Sequence, residues 1–255
     1  MKKIKHQYKR LLQISDDHKQ ITLLNSRYYR RNGVYYPSIT HVLGVYPKGI
    51  HYEEWLKTSG HSAEHIVRKA QEEGTMVHEM AEEYLNGEEV NFLDERQNPQ
   101  YPINVWQMFL HFVEFWETYK PKLIEAEVHL FSDKLKVAGT CDLVCEIDGE
   151  LWIIDFKTSN HIATTYALQT ATYAECYEEC FGKKIDRTGI LWLKSSKRKV
   201  SFEKMTGRGW EMIESEKSQQ ENMEIFKVVR TLFDLENPVS QPEFISFKTS
   251  AKRVI

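Results

Sequence analysis

The sequence lacks any long apolar run, since stretches such as Leu151 to Ile154 fall far short of the roughly 18 consecutive residues that a membrane span requires. The basic start, Met1 to Arg10, is followed neither by an apolar stretch nor by a small-residue cleavage site, so we expect no secretory signal. Internal repeats and low-complexity segments are also absent from the sequence. These absences exclude a transmembrane helix, and we expect a cytoplasmic protein with no membrane partner.

Cysteine is scarce as well, with four residues and no CxxC pair among them. Cys141 and Cys145 lie in a strand-like segment, and Cys176 and Cys180 lie in a helix-like one. We expect buried, reduced cysteines, because free cysteine is a common core residue. Ligation of zinc or of an iron–sulfur cluster by the four thiolates is the alternative. At this chain length a disulfide scaffold is unnecessary.

The composition is that of an ordinary globular protein, with 41% hydrophobic and 28% charged residues, which excludes disorder throughout. A chain of 255 residues buries roughly 73% of its unfolded surface, enough for one large domain or two small ones. The formal net charge of -3 hides a basic segment from Lys183 to Arg208, and it is the local field that attracts a polyanion.

Residues 1–70 are expected to form a lead-in of hairpins and helices packed on the core. Two small hairpins are predicted, the first between Leu11 and Leu24 and the second between Tyr28 and Tyr36. In the second, Asn32-Gly33 supplies the positive φ of a two-residue turn. Helical stretches follow at three places: from Ser38, around Trp55, and from Ala63 to Gln71.

Residues 71–236 are expected to form the main core, and residues 237–255 an irregular basic tail. Sequence periodicity predicts these core elements: a helix from Gly74-Thr75 to Asn86-Gly87, a helix from Ile103 to Tyr119, strands from Leu123 to Leu130, Val137 to Ile147 and Leu151 to Phe156, a helix from Thr164 to Phe181, a strand from Thr188 to Leu193, and a closing helix from Trp210 to Leu235. The helix from Ile103 to Tyr119 has an aromatic stripe, which we assign to the core. Its residues are Trp106, Phe109, Val113 and Trp116. A strand, a helix and a further strand make a crossover with parallel pairing. The predicted fold class is therefore α/β (α+β), with a central mixed β-sheet flanked by helices.

Two aspartates and a lysine occupy unusual positions in the predicted sheet. Asp142 lies inside an apolar strand, and Asp155 and Lys157 lie two apart at the end of the next strand, so their side chains share a face. Aspartates brought together on adjacent strands repel unless a metal ion lies between them, and hard oxygen ligands favour magnesium or manganese. The alternative is a plain strand-end ion pair between Asp155 and Lys157.

Four further residues can belong to such a site. His78, on a predicted helix, can supply an imidazole ligand, although a single histidine is more often an ordinary core or surface residue. Gln169 and Tyr173, four apart on a helix, can reach a phosphate or a base, or are ordinary helix-face residues. Glu127, in mid-strand, can orient water or a ligand, and a solvent-facing position is the alternative. A zinc-protease helix is disfavoured because His78-Glu79-x-x-Glu82 lacks the second histidine.

The chemistry-bearing residues occur in a fixed order: Gly74-Thr75-x-x-His78, Glu127, Gly139-x-x-Asp142, Asp155-x-Lys157 and Gln169-x-x-x-Tyr173. This order, over about residues 37–193, resembles the PD-(D/E)XK nuclease superfamily. More narrowly, it is similar to the branch of RecB-type nuclease domains, Cas4-like exonucleases, phage exonucleases and the mitochondrial genome maintenance exonuclease. The segment Pro37-Ser38-Ile39-Thr40-x-Val42-Leu43, with Trp55 shortly after it, is similar to the lead-in of the mitochondrial group.

The resemblance implies a restriction-endonuclease-like core that binds one or two Mg²⁺ or Mn²⁺ ions. The metal ligands that it implies are His78, Asp142, Asp155 and the backbone carbonyl of Phe156. Lys157 is implied as catalytic, and we group with it Asp142, Asp155 and Glu127. Gln169 and Tyr173 are implied to hold the substrate. Asp155 stands where many relatives carry Glu, which shortens the ligand but keeps its oxygen. In some relatives iron–sulfur cysteines flank the core, whereas the four here lie within it, so we expect no cluster.

A basic hairpin follows the predicted strand from Thr188 to Leu193. Its basic residues are Lys194, Lys197, Arg198 and Lys199. These residues can bind substrate by following a phosphate backbone. A hairpin that is simply solvated is the alternative.

The sequence leads to the hypothesis of a Mg²⁺- or Mn²⁺-dependent deoxyribonuclease that hydrolyses phosphodiester bonds as an exonuclease. The exonuclease assignment rests on analogy with relatives that act on single strands. The expected partner is DNA that is single-stranded or has free ends, in recombination, repair or replication, with a possible single-strand-annealing or recombination partner protein. A bacterial or phage source fits this function. The alternatives are a non-catalytic DNA-binding or assembly module that keeps the fold, and a structure-specific endonuclease.

Overall fold

The computed structural model describes residues 20–23, 26–194, 199–200, 205–206, 209–239 and 241–242. The helices in these ranges are α1 (Ile39–Val42), α2 (Ile50–Ser59), α3 (Ala63–Leu85), α4 (Ile103–Tyr119), α5 (Thr164–Phe181) and α6 (Gln219–Glu236). The strands are β1 (Gln20–Leu23), β2 (Ser26–Arg31), β3 (Val34–Pro37), β4 (Lys122–Ser132), β5 (Val137–Ile147), β6 (Glu150–Lys157), β7 (Arg187–Trp192), β8 (Lys199–Val200), β9 (Met205–Thr206) and β10 (Glu211–Ile213). Among these helices, none combines the length with the hydropathy of a segment that crosses a bilayer.

The centre of the fold, within the described residues, is a five-stranded sheet in the order β10-β7-β6-β5-β4. Neighbouring strands are antiparallel except β6 and β7, which run parallel because α5 carries the chain back between them. Asp148-Gly149 turns β5 into β6 with φ angles of 52° and 84°, as a two-residue hairpin requires. The predicted α/β class, with a mixed sheet flanked by helices, is confirmed.

The sheet separates two apolar clusters. One cluster packs α1, α5 and α6 against residues such as Ile153, and the other packs α3 and α4 against residues such as Ile154. These neighbours in β6 are both fully buried, because successive side chains of a strand point to opposite faces. The end of β6, which carries Asp155 and Lys157, is therefore enclosed by apolar layers on both sides.

The aromatic helix α4 turns a different face to the core than the sequence predicts. Its buried residues are Val105, Met108, Phe109, Phe112 and Phe115. Of the predicted stripe, Phe109 is buried, and the others are only partly buried at the margin of the cluster: Trp106, Val113 and Trp116. Because apolar residues surround most of this helix, periodicity leaves its rotation open, and packing against α3 decides it.

One continuous helix, α3, replaces the two helices predicted on either side of Gly74. The helix runs through the glycine, and Thr75 Oγ1 donates to the Gln71 carbonyl at 3.0 Å. The missing side chain serves packing instead, since a Cβ at Gly74 would lie 3.0 Å from Thr158 Oγ1, just beyond β6. The glycine thus lets α3 approach the end of the central strand.

The closing helix begins later than the predicted Trp210. Glu211–Ile213 form β10, which pairs with the outer edge of β7, and α6 begins at Gln219 after a capping box between Ser218 and Glu221. Pairing with β10 satisfies backbone groups that an open sheet edge would expose, which explains why this segment leaves the helical pattern.

The lead-in contains a three-stranded antiparallel sheet, β1-β2-β3. Asn32-Gly33, with φ angles of 51° and 77°, forms the predicted turn between β2 and β3. β1 pairs with β2, and the other arm of the first predicted hairpin, Leu11 to Ile14, lies outside the described residues. Tyr29 and Tyr36 set their rings edge-on against Phe131 of β4, which docks this sheet on the core.

Gly139 provides a test of how closely α5 packs on β5. A Cβ at this position would lie 2.5 Å from a ring carbon of Tyr173 and 3.2 Å from Ile39 Cδ1. Overpacking of this kind typically costs about 1–3 kcal/mol, so we expect Gly139→Ala to lower the free energy of unfolding by that amount in urea denaturation. Gly44→Ala is the control, because its Cβ would meet nothing within 4 Å. Equal stability of the two variants would contradict this packing.

Candidate active site

The site forms where β5 and β6 separate. Their pairing runs from Ile147↔Glu150 to Leu143↔Ile154, and Asp142 and Asp155 come one position beyond the last pair. Both aspartates are buried, with exposed fractions of 7% and 1%. At the fork the Phe156 N–H donates to Asp142 Oδ2 at 2.6 Å. The Asp142 side chain thus satisfies a backbone donor at the point where the pairing of the two strands ends.

His78 reaches the fork from α3. Its Nδ1 lies 3.4 Å from Asp142 Oδ1 and 3.9 Å from Glu127 Oε1, and its ring packs 5.7 Å from that of Phe156. One ligand atom from each of His78, Glu127 and Asp142 lies within 4.8 Å of the others. We call these three residues the acidic triad. Within the described residues this is the one such group that could hold a metal ion.

Glu127 has an unusual backbone conformation. Its φ is +49°, in the left-handed region that side-chain-bearing residues rarely adopt. The flanking Ala126 and Val128 pair with Leu143 and Cys141 of β5, so Glu127 lies across from Asp142. Strain of this kind costs about 1–3 kcal/mol and persists only where the surrounding structure imposes it.

Lys157 lies on the other side of the fork in a connected polar network. Its ammonium forms an ion pair with Asp155 and donates to Gln169 Oε1 at 3.3 Å. Gln169 Nε2 in turn donates to Asp155 Oδ1 at 2.9 Å and to the Tyr173 hydroxyl at 2.8 Å. The carboxylate oxygen in the ion pair with Lys157 is Asp155 Oδ2, which is buried. The predicted i, i+4 pair on α5 thus holds the Asp-x-Lys motif.

Tyr166 is a contact residue of this network that the sequence analysis does not include. The Lys157 ammonium lies 4.6 Å from the centre of its ring, and its hydroxyl donates to Ser159 Oγ at 3.2 Å. The signal available in the sequence is its spacing, one turn before Gln169 on the same face of α5.

The electric field of the acidic triad favours positive charge. Burial opposes ionisation of the imidazole, but the carboxylates of Asp142 and Glu127 outweigh it and raise the pKa of His78 to about 10. For Asp142, burial favours the neutral acid, yet His78 and Lys157 keep its pKa below the ordinary value. Burial raises the pKa of Glu127. An imidazole with two carboxylates at this separation is a donor set that fits a divalent cation, whose charge would take the place of the proton.

On the lysine side, burial raises the pKa of Asp155 to about 6, with Lys157 opposing and Asp142 adding to the rise. Burial disfavours the charged lysine, but Asp155 and Asp142 outweigh it and raise the pKa of Lys157. Lys157 is therefore a partly buried ammonium held charged by its neighbours.

The structure brings most of the predicted site residues together, in two adjacent groups. His78, Glu127 and Asp142 form one group, whereas Asp155, predicted as a ligand beside them, pairs with Lys157 in the second. The strand-end ion pair, considered above as the alternative for Asp155 and Lys157, is thus present within a larger network. The Phe156 side chain packs in the core with α3 and α4, while its backbone adjoins Asp142.

The basic hairpin is only partly described. Lys194 Nζ donates to Asn160 Oδ1 at 3.3 Å. Lys197 and Arg198 lie outside the described residues, as does most of the tail expected at 237–255. Of Lys199 the structure describes the backbone in β8.

The cysteines are free, and three are buried as expected, whereas Cys180 is exposed. Burial raises the pKa of Cys145 to about 12 and raises the pKa values of Cys141 and Cys176 as well. High thiol pKa values disfavour the thiolates that zinc and iron–sulfur clusters require. The absence of a cluster stays a prediction.

A mixed sheet with a crossover helix, and with an aspartate and an Asp-x-Lys motif at the fork of two strands, defines a restriction-endonuclease-like α/β protein. The model of the PD-(D/E)XK nuclease superfamily matches residues 51–244, and the chain belongs to this superfamily. The predicted superfamily is confirmed, whereas the branch stays a prediction. Membership supports a hydrolytic nuclease with DNA as its substrate and a divalent metal as its cofactor.

Two solved structures are similar to the chain at low identity. One is a candidate exonuclease from Eubacterium rectale, 14% identical, with a TM-score of 0.40, covering 73% of this chain and 76% of its own. The other is the protein SSO0001, 11% identical, with a TM-score of 0.28, covering 67% of this chain and 88% of its own. Among curated proteins no sequence matches the chain.

The strained backbone at Glu127 can be tested without reference to activity. Glu127→Ala and Glu127→Gly both remove the carboxylate, but only glycine adopts a φ of +49° without strain. We expect the glycine variant to be the more stable by about 1 kcal/mol in urea denaturation. At Val128 the same pair of substitutions is the control, and there glycine should be the less stable. A glycine penalty at both positions would contradict the left-handed conformation.

Proposed function

We propose that the protein is a Mg²⁺- or Mn²⁺-dependent DNA exonuclease, a phosphodiester hydrolase that acts on single strands or on DNA ends. The observation that carries the proposal is the convergence of the acidic triad and the partly buried Lys157 ammonium on the two sides of one fork. A divalent cation and a lysine side by side supply positive charge where a phosphodiester gains negative charge during hydrolysis.

The proposed ligands of one or two ions are the acidic triad, completed by Asp155 and the backbone carbonyl of Phe156. When bound, such an ion neutralises charge on the phosphate and lowers the pKa of a bound water. Asp155 is included because it is buried next to Asp142 at the fork, one position beyond the last β5–β6 pair. Glu127, whose side chain is 29% exposed, is the residue proposed to orient the attacking water.

Lys157 is proposed to stabilise the negative charge that develops on the scissile phosphate. Asp155 and Gln169 hold its ammonium, and its raised pKa keeps the charge in place at neutral pH. Gln169 and Tyr173 are 5% and 3% exposed. Their burial supports a positioning role, in which they orient Lys157 and Asp155 toward the substrate, in place of extensive contact with DNA.

The preference for ends or single strands, the place in recombination, repair or replication, an annealing partner protein and a bacterial or phage source rest on the resemblance to the RecB/Cas4-like branch. The basic residues Lys194, Lys197 and Arg198 are proposed to follow the strand beyond the fork.

Degradation of end-labelled DNA tests the activity. We expect linear single strands to be degraded in Mg²⁺ or Mn²⁺, circles to be spared and EDTA to stop the reaction. Lys157→Ala should lower the rate at least about 100-fold, because losing one charge-stabilising group typically has this effect. Lys122→Ala is the control, since Lys122 pairs with Glu146 at the far end of β4 and β5.

The other outcomes of this assay would contradict the proposed activity or its site. Cleavage of circles would make the protein an endonuclease. Binding without cleavage in either metal would favour the non-catalytic module. Full activity of Lys157→Ala would place the chemistry at a different site.

Thermal unfolding tests the metal ligands separately from turnover. Binding at about 100 times the Kd stabilises a protein by about 2.7 kcal/mol, so Mn²⁺ or Mg²⁺ should raise the Tm by roughly 5–10 °C, reversibly with EDTA. Asp142→Asn and His78→Ala should abolish this shift, whereas Glu146→Gln, on the exposed part of β5, should retain it. A shift that survives both triad substitutions would contradict the assignment.

A further inference from the structure

Four polar side chains form a connected set on the lead-in side of the fork, outside the residues discussed above. The Tyr29 hydroxyl lies 3.0 Å from Thr140 Oγ1, and His129 Nδ1 lies 2.9 Å from the same oxygen. Arg27 lies two residues before Tyr29 on β2, so the two side chains share a face of that strand. Burial raises the pKa of the Tyr29 hydroxyl, and Thr140 and Arg27 oppose the rise. We call Arg27, Tyr29, His129 and Thr140 the β2–β4 polar cluster.

The strand register places this cluster beside the acidic triad. His129 and Thr140 are a registered pair of β4 and β5, and Glu127 and Asp142 lie two residues further along the two strands. Residues two apart on a strand share a face and are separated by about 6.8 Å. This is close to the separation of neighbouring phosphates along a DNA strand. The cluster and the acidic triad therefore occupy neighbouring positions on one surface of the two strands.

The cluster presents one fixed positive charge at the surface, that of Arg27. The Tyr29 hydroxyl and Thr140 Oγ1 share a hydrogen bond in which either oxygen can be the donor, and His129 Nδ1 is bonded to the same threonine oxygen. Tyr29 is buried, whereas Arg27 and His129 are exposed. The surface thus presents the guanidinium of Arg27 next to a group dominated by carboxylates.

We propose that the β2–β4 polar cluster binds a phosphate group of the DNA strand, adjacent to the phosphate at the acidic triad, with Arg27 as its principal contact. The proposal rests on the proposed function, because it takes the triad as the point of cleavage. Arginine suits this role because its planar fork matches two phosphate oxygens and stays charged at any working pH. The part-buried hydrogen bond between Tyr29 and Thr140 orients the cluster, so the site is formed before DNA arrives.

Salt dependence of DNA binding tests the proposal. Binding of a labelled single-stranded oligonucleotide is measured in EDTA over a range of salt concentrations, for wild type, Arg27→Gln, Arg27→Lys and the control Arg96→Gln. Each phosphate contact on a single strand contributes about 0.7 to the slope of log K against log salt. We expect Arg27→Gln to lower the slope by about 0.7, Arg27→Lys to retain the slope with weaker binding, and Arg96→Gln to match wild type.

The form of the phosphate is decided by comparing oligonucleotides with a 5′-phosphate, a 3′-phosphate or neither. A terminal phosphate monoester predicts tighter binding of one phosphorylated form, lost in Arg27→Gln. An internal phosphodiester predicts the same fall in slope for all three. Either result supports the phosphate site.

An unchanged slope in Arg27→Gln, with a lower Tm, would overturn the proposal and leave Arg27 as a structural link between β2 and β4. The proposed function fails separately. A lowered slope in a protein that cleaves no DNA in either metal would retain the phosphate site and refute the nuclease, whereas metal-dependent cleavage with an unchanged slope would do the reverse.

Discussion

The separation of β5 and β6 is the constraint on which the rest of the site depends. Two aspartates lie next to one another at the fork, between apolar clusters that cover both faces of the sheet. Buried carboxylates at such a point are costly unless cations and donors compensate them. The polar contacts of the site compensate these carboxylates. The Phe156 N–H donates to Asp142, and the Lys157 ammonium pairs with Asp155.

The two aspartates are compensated differently, and this difference divides the site. Asp155 receives a permanent cation and an amide from Lys157 and Gln169, which the parallel crossover brings onto the same face. Asp142 receives the Phe156 N–H and a titratable imidazole, and it faces a second carboxylate, Glu127, held there by a strained backbone. One side is already neutral, whereas the other retains negative charge for a cation.

Close packing of helices makes this arrangement possible. α3 reaches the fork because Gly74 has no side chain to meet Thr158, and α5 reaches it because Gly139 leaves room for the ring of Tyr173. The lead-in sheet completes the surface from the third side, with Tyr29 bonded to Thr140 beside the triad. The acidic triad and the β2–β4 polar cluster thus lie at successive positions of the same pair of strands.

The sequence by itself determined the central strands, the crossover helix and the Asp-x-Lys motif, because period-two and period-3.6 patterns and turn signals such as Asp148-Gly149 are local. It also determined which chemical groups are available, including His78 and Gln169. Only the tertiary structure decided which groups meet. It places Glu127, and not Asp155, beside His78, and it brings the ring of Tyr166 against the Lys157 ammonium. It also decided that one continuous helix runs through Gly74. These outcomes depend on backbone strain, helix rotation and contacts between residues distant in the chain, which no local pattern encodes.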